Sequence, residues 1–393
     1  MPDGYWEVSM TRWKTFTGVA ALSLGLAVAG AVPASAHGSD TWGHGSSIRA
    51  LHRSWHPGHH HPGKVPVLRG TTTVAEHLAG PLTFDVGPRG SLVVGQAFAA
   101  QLTSIPRGGA PVSWYQGDEG TDVAAVSVHG GTTTFATRVG DEMSVSSSLL
   151  LQRSPRGTIR QVADLLAYER AANPDQVNTY GFTDLPAGCA ATLPPEFAPY
   201  PGAVDSHAYG SVTVHGVTYV ADAGANAILS VDRRGTVRTV AVLPPVEVTV
   251  TAEAAALFGL PDCVVGETYA FEPVPTDVEV GRHGALYVTT LPGGPEDGSL
   301  GANGALHKID PRTGKIRTLA TGFAGATGVA LDPKGNAYVA ELVGNQVSVV
   351  TAHHKVRVLG AFTQPAGIEW AHGTLYVSTN VFGDGSIVAA KVR

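Results

Sequence analysis

The chain has 393 residues, 43% of them hydrophobic and 15% charged, which is apolar enough to build a sizeable core and excludes a wholly disordered protein. With 26 Lys and Arg against 32 Asp and Glu the net charge is −6, so there is no electrostatic ground for nucleic acid or an anionic membrane as partner.

Met10-Thr11-Arg12-Trp13-Lys14 is a short basic start, residues 19–31 are almost wholly small and apolar, and Ala34-Ser35-Ala36 supplies an A-x-A cleavage signal before His37. Residues 1–36 therefore read as a secretory signal peptide, with an apolar run shorter than the roughly 20 residues of a membrane span. No later run approaches that length, so a secreted, extracytoplasmic protein without a membrane span is expected. Residues 37–70 are rich in Gly, Ser, Pro and His and read as a flexible linker. Seven of the sixteen histidines fall there, among them His59, His60 and His61, a weak ligand set for Zn²⁺, Cu²⁺ or Ni²⁺ on a segment whose ordering would offset much of the binding energy.

From residue 71 the pattern changes. Residues 71–78 alternate β-branched and polar side chains. Then a phrase recurs six times, at residues 82–93, 123–136, 209–220, 276–288, 327–339 and 366–377: an apolar stretch, a Gly-bearing turn, and a second apolar stretch often ending in Tyr-Val. A repeat of about 40 to 50 residues built from strands is the mark of a β-propeller. In the fourth copy residues 276–280 and 285–288 read as strands around Gly281-Arg282-His283-Gly284, followed by strands 305–309 and 316–319 around Asp310-Pro311-Arg312-Thr313-Gly314. The last copy holds only three strands, at 366–370, 374–378 and 386–392. An all-β, six-bladed β-propeller is therefore expected over residues 71–393, closed by strand 71–78 completing the last blade, because closure removes two exposed sheet edges. A monomer is expected.

Three insertions depart from the repeat, at residues 170–204, 245–274 and 291–304. In up-and-down blades all three connections emerge on one face, above blades two to four. Residues 252–258 within the second read as a helix, with Thr251 as N-cap and Gly259 and Pro261 after it. Cys189 and Cys263, the only cysteines, lie in the first two insertions. Without C-x-x-C spacing, in an exported chain, they read as a structural disulfide stapling those insertions, worth roughly 4 kcal/mol on the chain-entropy model.

Polar side chains recur where the second strand of each blade ends on that face: Arg138, Asp222, Thr290, Glu341 and Asn380. Ahead of the first strands come Asp122, Asp205-Ser206-His207, Glu272 and Gln364. The candidate ligand-binding set is Asp205, His207, Asp222, Glu272, Thr290, Glu341 and Asn380, whose oxygens and imidazole could converge on a small ligand or a divalent cation. The structural alternative for Asp222 is that it caps the turn before Gly224. Adjacent Asp205, Ser206 and His207 cannot form a catalytic triad, because neighbouring side chains diverge. The chain contains no G-x-S-x-G, P-loop, dinucleotide, EF-hand or H-E-x-x-H motif.

The segments at residues 204–209, 219–228, 271–278, 291–297 and 321–328 resemble the ScyD/ScyE family of exported bacterial proteins. The resemblance covers about residues 71–393 and implies a six-bladed propeller akin to the NHL and gluconolactonase-like folds, with no catalytic residue set attached. Two functions are compatible with the sequence. The first is a secreted scaffold binding a small molecule, glycan or protein through the inserted-loop face; the second is a metal-dependent lactonase or hydrolase of gluconolactonase type using Asp205, His207, Asp222 and Glu341. Immediately ahead of four first strands the chain reads Gly80-Pro81, Pro275-Thr276, Ala326-Thr327 and Pro365-Ala366, which is poor in carboxylates and favours binding.

Overall fold

A computed structural model describes residues 65–140, 144–294 and 298–393. The expected signal peptide, most of the linker and His59, His60 and His61 lie outside the described residues.

From Thr83 onward the strands fall into consecutive antiparallel groups of four. Blade one is Thr83–Val86, Leu92–Gln96, Gln101–Ile105 and Val112–Gln116; blade two is Thr121–His129, Thr132–Gly140, Val145–Arg153 and Ile159–Asp164. Blade three is Ala208–Val214, Val217–Asp222, Ala227–Val231 and Val237–Val242; blade four is Pro275–Val280, Leu286–Thr290, Gly304–Ile309 and Ile316–Phe323. Blade five is Ala326–Leu331, Ala337–Glu341, Gln346–Val350 and Val356–Ala361, and blade six opens with Ile368–Ala371, Thr374–Thr379 and Gly385–Val392. The outer place in the sixth sheet is taken by Leu68–Leu78, antiparallel to Gly385–Val392. This strand begins three residues earlier than its alternation suggests, because Leu68 packs against the apolar layer between blades five and six.

The first strand of every blade touches the first strand of the next, and the cycle returns from Ile368–Ala371 to Thr83–Val86, so the fold is a six-bladed β-propeller with these strands at the hub. Period-2 alternation supplies each interblade core. Val278, Leu286, Val288 and Ile309 pack against Ala221, Ile228 and Leu243 between blades three and four, and equivalent clusters fill the other five gaps. At two hub positions there is no room for a side chain. A Cβ on Gly328 would lie 2.5 Å from the Ala366 carbonyl oxygen, and one on Gly367 3.0 Å from that of Leu82. Polar side chains bridge the hub: Asp277 Oδ2 accepts from Val329 N at 2.8 Å, and Asp85 Oδ2 accepts from Val128 N.

Among the described residues, no helix is long and apolar enough to cross a membrane.

Candidate functional site

The insertions form a built rim. The first begins earlier than expected, with helix Leu165–Ala172, whose N-terminus is capped by Asp164 Oδ1 accepting from Ala167 N at 2.8 Å and whose Leu165 and Leu166 are buried. It then pairs Thr179–Tyr180 with Tyr200–Pro201. The second pairs Val246–Thr249 with Thr268–Phe271 around helix Ala252–Leu257, where Thr251 Oγ1 accepts from Ala254 N at 3.1 Å. The insertions bond to one another: Gly181 and Ala270 exchange backbone hydrogen bonds of 2.9 and 3.0 Å, and Gly293 N donates to Glu272 O at 2.7 Å. Cys189 and Cys263, 74 residues apart, are joined by a disulfide. Phe182, Phe197, Val264, Tyr269 and Phe271 give this rim an apolar core of its own.

Beneath the start of the rim, where blades two and three meet, lies a charged group. His207 Nε2 is 2.6 Å from Asp122 Oδ2, with both side chains mostly buried, and Arg138 Nη2 is 3.5 Å from Asp205 Oδ1. Asp122 Oδ2 accepts a hydrogen bond from His207 Nε2–H, so the other ring nitrogen, Nδ1, is the one left toward a ligand, and it has no hydrogen-bond partner among the described residues. Asp205 is 44% exposed at its side chain, so this group opens to solvent through Asp205. The local chain explains the placement. Asp222, fully buried, accepts from Ser206 Oγ (2.7 Å), His207 N (2.7 Å) and Ala225 N (3.3 Å), and so pins the segment 205–207 against the end of its own strand.

The seven candidates therefore divide. Asp205 and His207 each pair with a side chain of blade two, with Arg138 and with Asp122 respectively. Asp222 is the turn cap that its spacing suggests, and burial holds it above the ordinary carboxylate range. Thr290 is buried with its hydroxyl 3.1 Å from His307 Nε2, and burial pushes that imidazole down to about 4. Glu341 is buried and accepts from Ala324 N (2.9 Å), Gln346 Nε2 (3.0 Å) and the Ser348 hydroxyl. Asn380 has a left-handed φ of 51° and donates to Asp384 O at 3.1 Å within a turn. Glu272 Oε2 accepts from Asn226 Nδ2 at 3.1 Å. Ser206 bridges Asp222 and Ser148 rather than His207.

Two groups of acids are less visible from sequence. Behind Asp222, helix residue Glu169 is 1% exposed with neither carboxyl oxygen hydrogen-bonded; burial, then the charges of Asp222, Asp175 and Asp205, push it up to about 9. Asp175, raised to about 6 by burial, accepts from Asn226 Nδ2 (2.9 Å) and Tyr180 Oη (3.1 Å). In the hub, Asp85 and Asp277 are raised by burial to about 6 and about 7, and Glu279 and Glu369 are raised well above their ordinary value by burial and by these neighbours. The cavity there, lined by first-strand residues such as Asp277 and Glu369, measures only about 20 Å³, too small for an organic ligand. Among the described residues, no three His, Cys, Asp or Glu side chains converge where a metal ion could sit.

No family model and no curated protein matches the sequence. Among solved structures, a PQQ-bound aldose sugar dehydrogenase from Streptomyces coelicolor is similar with a TM-score of 0.50 and 11% identity, covering 85% of this chain and 100% of that one. A catalytically inactive virginiamycin B lyase from Staphylococcus aureus, solved with quinupristin, gives 0.48 and 14%, covering 83% and 99%. A Bacteroides thetaiotaomicron protein of unknown function gives 0.49 and 10%, covering 84% and 77%. At these identities the likeness concerns the fold alone.

Proposed function

We propose that this chain is an exported binding protein of the ScyD/ScyE kind, taking a small hydroxyl-bearing molecule or glycan at the rim above blades two and three. The observation that carries the reading is His207: Asp122 holds its ring through Nε2 and leaves Nδ1 without a hydrogen-bond partner among the described residues, two residues along the chain from the half-exposed Asp205 carboxylate. A carboxylate and an imidazole nitrogen, which can accept from or donate to a hydroxyl, suit a ligand rich in hydroxyl groups. Arg138 holds Asp205 in place, and the cross-linked insertions supply walls that need no ordering on binding. Export is supported by the A-x-A signal and by the disulfide.

The test is a thermal-shift screen of polyols and glycans on the full secreted chain, repeated with His207→Ala and Asp205→Asn. A stabilising compound should bind each variant about tenfold or more weakly, the loss of one hydrogen bond to a charged or buttressed group. Equal stabilisation of wild type and both variants would place the ligand elsewhere.

A second reading rests on the same pair. A carboxylate bonded to imidazole is the arrangement of a general base, so a hydrolase or eliminase acting through His207 would use this geometry without a three-ligand metal centre. Turnover of the bound compound, abolished by Asp122→Asn while binding persists, would favour it.

A further inference from the structure

The geometry points to a second site, at the end of blade four opposite the insertions, and we propose that it binds a phosphate or sulfate group carried on a small molecule. A cavity of about 340 Å³ lies there, lined by His283 from the turn between the first and second strands, by Asp310, Arg312 and Lys315 from the turn between the third and fourth, and by Lys308 and Arg317 from those strands. Its size is that of a small-molecule pocket.

The charge arrangement is the anomaly. Lys308 and Arg317 are paired directly across neighbouring strands, so their side chains emerge side by side on one face of the sheet. Like charges directly opposite destabilise a sheet. Outward of this pair Arg317 Nη2 donates to His354 Nε2 at 3.0 Å, and burial together with Arg317, Lys308 and His353 holds His354 below its ordinary value. The single carboxylate in the lining, Asp310, is already engaged by Arg312, through its backbone N at 2.9 Å and its guanidinium at 3.6 Å. Among the described residues, Lys308, Lys315 and Arg317 form no ion pair.

A chain of net charge −6 thus gathers Lys308, Lys315 and Arg317 into one concave place with no carboxylate paired to them among the described residues, Lys308 Nζ lying 5.6 Å from the Tyr287 ring centroid. A tetrahedral oxyanion resolves the conflict. Its oxygens take the guanidinium fork of Arg317 and the ammonium groups of Lys308 and Lys315, replacing repulsion by charge-assisted hydrogen bonds. His354 Nε2 accepts from Arg317 Nη2, which leaves the other guanidinium donors of this cavity-lining residue for an anion.

Inorganic phosphate, inorganic sulfate and glycerol 3-phosphate, with glycerol as neutral control, are titrated into the full secreted chain at low ionic strength while melting is followed. The anions should stabilise and glycerol should not, and the effect should fade as sodium chloride is raised. Stronger stabilisation by phosphate or by sulfate identifies the ester class. The double variant Lys308→Gln with Arg317→Gln should bind about tenfold or more weakly, yet melt no lower than wild type without anion, because the opposed charges are gone. His207→Ala should leave the anion response intact, which separates this site from the rim. Absence of anion-dependent stabilisation, or its persistence in the double variant, overturns the proposal.

Discussion

Glu169 shows how far a single side chain can depart from its sequence context. In Leu165–Ala172 it stands where an exposed helix residue is expected, between Tyr168 and Arg170, but the helix lies down between the blade edge and the rim and turns this carboxyl inward. With a folded value of about 9 against an ordinary 4.5, it is a neutral acid at pH 7. The sign of the linkage follows. Between pH 4.5 and pH 9 the folded chain holds a proton that the unfolded chain has released, so this group's stability is complete below pH 4.5 and is lost as pH rises toward 9, by at most about 1.4 kcal/mol per pH unit. Asp175, Asp85 and Asp277 act in the same direction over lower windows, and together with Glu169 they outweigh His307, which acts oppositely between about pH 4 and 6.5. The protein is therefore expected to melt higher at pH 5 than at pH 8. In Glu169→Gln that slope should flatten, with the gain over wild type confined to the alkaline side. Calorimetric melts of both proteins across this range check it; an unchanged slope would mean that Glu169 ionises in the fold.

At the scale of elements, the blades were legible, and so were the disulfide and the helix Ala252–Leu257 of the rim, but not its strand pairs. Strand pairs around Gly turns and Asp-bearing hairpins declare themselves locally, which is why residues 276–280 and 305–309 match strands Pro275–Val280 and Gly304–Ile309. The two-residue strands Thr179–Tyr180 and Tyr200–Pro201 carry no periodicity and exist because Gly181 bonds to Ala270, from a different insertion. The site divides in the same way. The capping role of Asp222 follows from its place three residues before Ala225, whereas the partner of His207 lies 85 residues away and only the packing of blade two on blade three brings it near. The disulfide acts on the rim and not on the blades. Cys189→Ser with Cys263→Ser should loosen the insertions by up to about 4 kcal/mol. Hydrogen exchange should then accelerate at the Gly181 and Ala270 amides, while those of the interblade strands such as Val288 keep their protection. Uniform acceleration throughout would show that the rim and the propeller unfold as one unit.

For the ring as a whole, the open question is which contact keeps blades six and one together. Two are available. At the hub, Ile368–Ala371 meets Thr83–Val86 over a short length, where Gly367 packs against Leu82 and Phe84. At the periphery, the eleven residues Leu68–Leu78 pair along Gly385–Val392 and send Ala75 and Leu78 into the core shared with Phe84, Leu92 and Val94. The peripheral strand has the larger hold by burial: Leu78 alone is worth about 2 kcal/mol, and most of a strand's backbone pairing is added to it. Its removal would also leave the edge of Gly385–Val392 unpaired and free to template association. Deleting residues 68–78 is accordingly expected to lower the melting temperature by at least about 5 °C and to produce concentration-dependent aggregation, read by melting and light scattering at several protein concentrations. If the truncated chain melts unchanged and stays monodisperse, the hub contacts alone close the ring and the outer strand is only a cover.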